Sequence, residues 1–242
     1  MLTYLYSSIL VIRRDFMTYS LVLLMLLSLI ILLYFTYKPH KIFKGIFKTI
    51  TSILFVTIAI SGYLEKSSNF IYFIFILLGL LFSLFGDLFL IFKNKDKNHI
   101  NKFFIYGLLS FSLSHVFFSI GFIYLSHFSF YTILFSFLLA VVVLFILKCI
   151  KKLDFKDSFY YVAFYSVVIS FMFIQSLNLY FSINFYNPYV LWITIGALLF
   201  VLSDLILSFD YFYKDCPKFI AVLNLLIYYI AQLLIALSIL YI

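Results

Sequence analysis

Two aspartates, Asp87 and Asp204, stand inside long apolar stretches, and the residues around them are nearly the same. Residues 79–92 read GLLFSLFGDLFLIF and residues 196–209 read GALLFVLSDLILSF, aligned without a gap at an offset of 117, the separation of the two aspartates. A carboxylate in the middle of a bilayer costs about 2.5–3.5 kcal/mol on insertion scales, so such a residue marks a functional site by default. Two carboxyls facing one cavity divide into an acid and a base, as in aspartic proteases and glycosidases. In a wet pocket at the acyl-chain boundary, that pair suits hydrolysis of a lipid.

The same offset carried forward sets Phe111 on Tyr228 and His115 on Gln232. Asn224, Tyr228 and Gln232 follow at i, i+4 and i+8 and so share one helix face; Gly107, Phe111, His115 and Ser119 form the matching face. The expected catalytic residues are Asp87, Asp204 and His115, with a neutral imidazole bonding one carboxyl and orienting a water. Gln232, Tyr228 and Asn224 are candidates for substrate binding, with interhelical hydrogen bonding as their structural alternative. Ser83 and Ser203 are expected beside the carboxylates. By helix rise the aspartates lie about 8–9 Å inside their helix ends, with His115 and Gln232 nearer the midplane as a floor. Asp210, six residues past Asp204, points about 240° away from it. Gln175 and Asn178 read as local packing, Glu65, Asp96, Asp154, Asp157 and Asp215 as loop charges, and His99 and His127 as solvated. A single membrane histidine without HxxxH-type spacing is thin for zinc, so neither a metal nor an organic cofactor is expected.

A helical membrane bundle must position these residues. The 242 residues are 66% apolar and 11% charged, far from soluble globular composition. A hydrocarbon core about 30 Å thick needs about 20 apolar residues per helix. Eight such runs are predicted, at 19–37, 46–64, 70–92, 103–126, 130–147, 158–181, 188–210 and 218–241. The connections are short, so the chain forms one domain, an all-α polytopic bundle of eight transmembrane helices built as two parallel four-helix repeats. No alternation of about 10 residues per segment marks an outer-membrane barrel. Residues 1–12 are too short to span and are expected to form an interfacial stub, or an upstream start before Met17.

The net charge of +8 is accounted for by loops. Lys38, Lys41, Lys44 and Lys48 fall between helices 1 and 2; Lys93, Lys95, Lys97 and Lys102 between 3 and 4; Lys148, Lys151, Lys152 and Lys156 between 5 and 6; Lys214 and Lys218 between 7 and 8. The opposite loops hold only Lys66, so the lysine-rich loops are expected in the cytoplasm. Nucleic acid is not expected as a partner; membrane lipids are, with anionic headgroups contacting the lysines. Cys149 and Cys216 fall near cytoplasmic helix ends, so no disulfide is expected. Fifteen lysines against two arginines, with abundant Phe, Ile and Tyr, match an AT-rich bacterial genome and hence a bacterial cytoplasmic membrane.

The segments SLFGDLFL (83–90), FSLSHVFF (111–118), GALLFVLSDLILSF (196–209) and YYIAQLLIALS (228–238) resemble the blocks of the YhhN family of lysoplasmalogenase-like membrane proteins. The likeness runs from helix 3 onward, with Phe118 standing where the family pattern has a tyrosine. The resemblance implies hydrolysis of the vinyl-ether bond of a lysophospholipid, giving a fatty aldehyde and glycerophospho-ethanolamine or -choline. Slow proton transfer to carbon forms an oxocarbenium that water captures, and two carboxyls can serve both steps. The sequence leaves open which aspartate is the acid, and it leaves headgroup preference and oligomeric state open as well.

Other chemistries fit less well. An intramembrane aspartyl protease would need glycine at Leu84 for G-x-G-D, and Ser203 stands before the second aspartate. A transporter shares parallel repeats and midplane polar groups, but Pro39, Pro188 and Pro217 all fall at helix ends and interrupt no span.

Overall fold

Between short polar turns, the apolar runs form α-helices because a helix satisfies its own backbone where no water can. The computed structural model describes residues 2–66, 69–92, 102–155, 158–183, 188–213 and 216–242, with side chains from residue 17 onward except that of residue 188. In order these hold α1 (Leu2–Tyr37), α2 (Lys41–Glu65), α3 (Phe70–Ile91), α4 (Lys102–Leu125), α5 (Phe130–Cys149), α6 (Phe159–Ser182), α7 (Pro188–Phe212) and α8 (Lys218–Ser238). Each contains a stretch long and apolar enough to cross a membrane. Asp96, His99, Asp157 and Asp215 lie outside the described residues, as do Lys93, Lys95, Lys97, Lys156 and Lys214.

Two boundaries differ from the sequence reading by five residues or more. Residues 2–12 continue α1 instead of forming a separate stub, and α2 begins at Lys41, five residues before the predicted 46. Pro39 ends the first helix, and His40 caps the second, its ring Nδ1 accepting from the Phe43 amide at 3.4 Å. The early start has a periodic logic. Lys41, Lys44 and Lys48 fall on one stripe at i, i+3 and i+7, while Ile42, Phe43, Ile46 and Ile50 stay exposed on the apolar side. An averaged hydropathy window rejects the lysines; a helix sorts them to one face.

The helices associate in a repeated pattern. The contact of α3 with α4 matches α7 with α8, α2 with α3 matches α6 with α7, α1 with α2 matches α5 with α6, and α4 with α6 matches α8 with α2. Helices α1 and α5 are peripheral in both sets, with 28% and 22% of their spans enclosed against 50% for α4 and α6. Close approach repeats too. A Cβ at Gly79 would lie 2.4 Å from the Phe118 ring, and one at Gly196 would lie 3.0 Å from Ile235. Both partners stand at the 117 offset. With little hydrophobic drive between helices in lipid, such small-residue contacts are what bring them together.

Candidate active site

Six helices bring polar side chains to the lysine-rich end of the bundle. A cavity of about 210 Å³ there is lined by both Asp87 of α3 and Asp204 of α7, with Lys48 of α2, Phe111 of α4, and Asn224 and Tyr228 of α8. That volume admits several waters or a small polar group. The site helices run unbroken past it.

Asp87 is surrounded by donors. Lys48 Nζ lies 3.0 Å from Oδ1. On Oδ2, Ser52 Oγ donates at 2.6 Å and Tyr228 Oη at 2.9 Å, while the Tyr229 hydroxyl, 3.5 Å away, donates to the nearer Lys48 carbonyl oxygen at 3.1 Å. Gln232 Nε2 in turn donates to Tyr228 Oη at 2.9 Å. An ionised carboxylate is an acceptor only, with about two lone-pair sites on each oxygen; the hydroxyls take those of Oδ2 and Lys48 one of those on Oδ1. The pair is nearly dry, with side-chain exposures of 8% for Lys48 and 2% for Asp87. A buried ion pair of this kind holds only when further hydrogen bonds complete it, as the hydroxyls do here.

Asp204 has different company. Among the described residues its hydrogen-bond donor is the Tyr165 hydroxyl of α6, closely held on Oδ2. Tyr165 Oη lies 2.9 Å from His115 Nε2. With the single phenolic proton on Asp204, Oη accepts from Nε2–H; with Nδ1–H turned to the acceptor-only sulfur of Met172, the phenol donates to Nε2 instead. The other nitrogen, Nδ1, sits 3.2 Å from Met172 Sδ. His115 is fully buried, and its Nε2 is 3.9 Å from Asp204 Oδ2. The expected direct bond between histidine and carboxyl is therefore a relay through Tyr165.

Several expectations need correcting. Ser83 does not bond Asp87; its hydroxyl pairs with Ser114 Oγ at 2.8 Å, between α3 and α4. Ser203 does not bond Asp204 either, since its hydroxyl returns to the Phe200 carbonyl at 2.9 Å. A serine inside a helix finds the nearest free acceptor, and its own previous turn offers one. Asp210 lines the same cavity as Asp204. Lys48 is no loop charge but the buried counter-ion of Asp87. His115 and Gln232 each connect, through a tyrosine, to a different aspartate.

Other assignments take concrete form. Asn224 lines the cavity while its Nδ2 donates to the Ser203 carbonyl at 2.6 Å, clasping α8 to α7. Gln175 and Asn178 hold α6 to the end of α4, both donating to the His127 carbonyl, at 3.3 and 2.7 Å. No group of three or more His, Cys, Asp or Glu able to hold a metal occurs among the described residues.

Lys48, Ser52, Tyr165 and Tyr229 are the site residues that sequence reasoning missed. A signal existed for two of them. Lys48 and Tyr165 stand at the 117 offset, and each contacts the aspartate of its own half. The partners cross as well: Asp87 meets Tyr228 of the second half, and Gln232 through it, and Asp204 meets His115 of the first through Tyr165.

No curated protein and no solved structure is significantly similar to the chain. The YhhN family profile matches residues 43–239, a stretch that holds all of the candidate site residues above. With most of its length matched and its described residues forming eight apolar helices, the chain belongs to the YhhN family.

Proposed function

We propose that the chain is a membrane-embedded ether hydrolase of the lysoplasmalogenase type, cleaving the vinyl-ether bond of a lysophospholipid by aspartate acid/base chemistry in a bacterial cytoplasmic membrane. The observation that carries this reading is one cavity lined by two carboxyls with unlike partners. Asp87, paired with Lys48 and bonded by the Ser52 and Tyr228 hydroxyls, is the negative group in this reading. Asp204 accepts only from Tyr165 among the described residues, and its other oxygen can carry one.

The reaction then runs in balanced steps. Asp204 gives its proton to the β-carbon of the vinyl ether while the α-carbon and ether oxygen share the positive charge. Tyr165, itself receiving from His115, is already aimed at the carboxylate this leaves, a preorganised donor where charge develops. Asp87 faces the oxocarbenium with its negative charge. Water adds to the α-carbon and returns its proton to Asp204, and the hemiacetal collapses to a fatty aldehyde and the glycerol hydroxyl. Positioned acid/base groups of this kind contribute about 10²–10⁴-fold each.

Purified protein given a lysoplasmalogen in deuterated water should release an aldehyde with one deuterium on the carbon next to the carbonyl. The saturated alkyl ether, with no double bond to protonate, should not react. Asp87→Asn and Asp204→Asn should both lose turnover while staying monodisperse. Full activity in either variant would sink the assignment; no aldehyde from the wild type together with lipid movement in liposomes would favour transport instead.

A further inference from the structure

The mouth of the cavity carries charges that the chemistry above leaves unused. Lys41 and Lys44 stand on one wall, from the start of α2, and Asp210 stands on the other, near the end of α7. Lys48, on the same stripe and deeper, is engaged with Asp87. Lys41 is exposed, while Lys44 and Asp210 are half-buried. Neither Lys44 nor Asp210 is a free charge, so a ligand would share them with contacts they already make.

Resting on the hydrolase reading, we propose that this mouth is a site for a zwitterionic phospholipid headgroup, with the phosphodiester against Lys41 and Lys44 and the ammonium against Asp210. The spacing acts as a ruler. Lys48 is level with Asp87, and at 1.5 Å per residue Lys44 lies about 6 Å and Lys41 about 10 Å further toward the opening. Asp210 lies about 9 Å beyond Asp204 in the same direction. In a glycerophospholipid, five bonds separate the sn-1 ether oxygen from phosphorus. At roughly 1.2 Å of advance per bond, as in an extended backbone, they span about 6 Å. Four more bonds to the headgroup nitrogen add about 5 Å. With the ether at the aspartates, phosphorus therefore reaches the level of Lys44, and the ammonium reaches the level of Lys41 and Asp210. A cationic wall facing an anionic one selects a headgroup carrying both signs over a purely anionic one.

The test is binding to the full chain in detergent, with an uncleavable alkyl-ether lysophosphoethanolamine, the same alkylglycerol without phosphate, the alkylglycerol phosphate, and inorganic phosphate. Charge-assisted hydrogen bonds make the phosphoethanolamine ligand about 10-fold or more tighter than the alkylglycerol. Lys41→Gln with Lys44→Gln removes most of that ratio, and Lys41→Arg with Lys44→Arg retains it. Asp210→Asn lowers the preference for phosphoethanolamine over bare phosphate on the same ether. An unchanged ratio in the glutamine variant overturns the proposal. So does millimolar inorganic phosphate displacing the lipid, which would assign the lysines to free phosphate. Because the ligand cannot be cleaved, the expected binding in a protein that releases no aldehyde supports the headgroup site while sinking the hydrolase reading.

Discussion

The two halves of the bundle hold their aspartates in the same place and treat them oppositely. At matching positions the first half presents Lys48 to Asp87, and the second presents Tyr165 to Asp204. A cation fixes a carboxylate as charged; a phenol can only lend a proton to it. Beneath them the exchange continues, because Tyr228 donates to Asp87 directly while its counterpart Phe111 has no hydroxyl to offer Asp204. In the proposed reaction, one repeated scaffold yields a fixed negative charge and an exchangeable acid by changing two side chains. Symmetry supplies the common location, and the departures from symmetry supply the unlike partners.

The comparison can be broken most directly at the proton. Asp204→Asn should slow aldehyde release by about 10²–10⁴-fold with little change in unfolding, since among the described residues Asp204 is paired with no lysine or arginine that it would strand. Asp87→Asn should also lose stability, because it leaves Lys48 buried and unpaired. Equal stability of the two variants in detergent would mean the halves are not as different as their contacts indicate.

Stability sharpens the same contrast. Lys48→Ala strands the Asp87 carboxylate and should cost about 3–5 kcal/mol in an unfolding titration. Tyr165→Phe removes one hydroxyl from the relay and should cost about 1–3 kcal/mol, with slower turnover. A Tyr165→Phe loss as large as that of Lys48→Ala would contradict the assignment of a fixed charge to the first half only.

Packing offers a finer comparison. Gly79→Ala drives a methyl to within 2.4 Å of the Phe118 ring, whereas Gly196→Ala meets Ile235 Cγ1 at 3.0 Å and the Ala231 carbonyl oxygen at 3.3 Å. Gly79→Ala should cost about 1–3 kcal/mol by overpacking, and Gly196→Ala less. The smallest effect is expected at Ser83→Ala, about 0.6 kcal/mol from losing the interhelical bond to Ser114, with aldehyde release unchanged. A strong activity loss there would return Ser83 to the site.

The amino-acid sequence by itself determined the bundle, because helix length, apolar content and the bilayer's demand for internal backbone hydrogen bonds leave one solution. It also determined the repeat around Asp87 and Asp204, since carboxylates in hydrocarbon are rare enough for two matched ones to stand out. It could not determine which partner each aspartate takes. Lys48 looked like one more loop lysine, and Tyr165 is one of 21 tyrosines. Asp210 looked misdirected when its helix was considered alone. Only the tertiary structure decided these, by crossing α3 with α2 and α8, and α7 with α6 and α4's histidine. A side chain's charge and hydrogen-bonding role depend on which helix faces it, and helix faces meet through packing that the one-dimensional pattern does not encode.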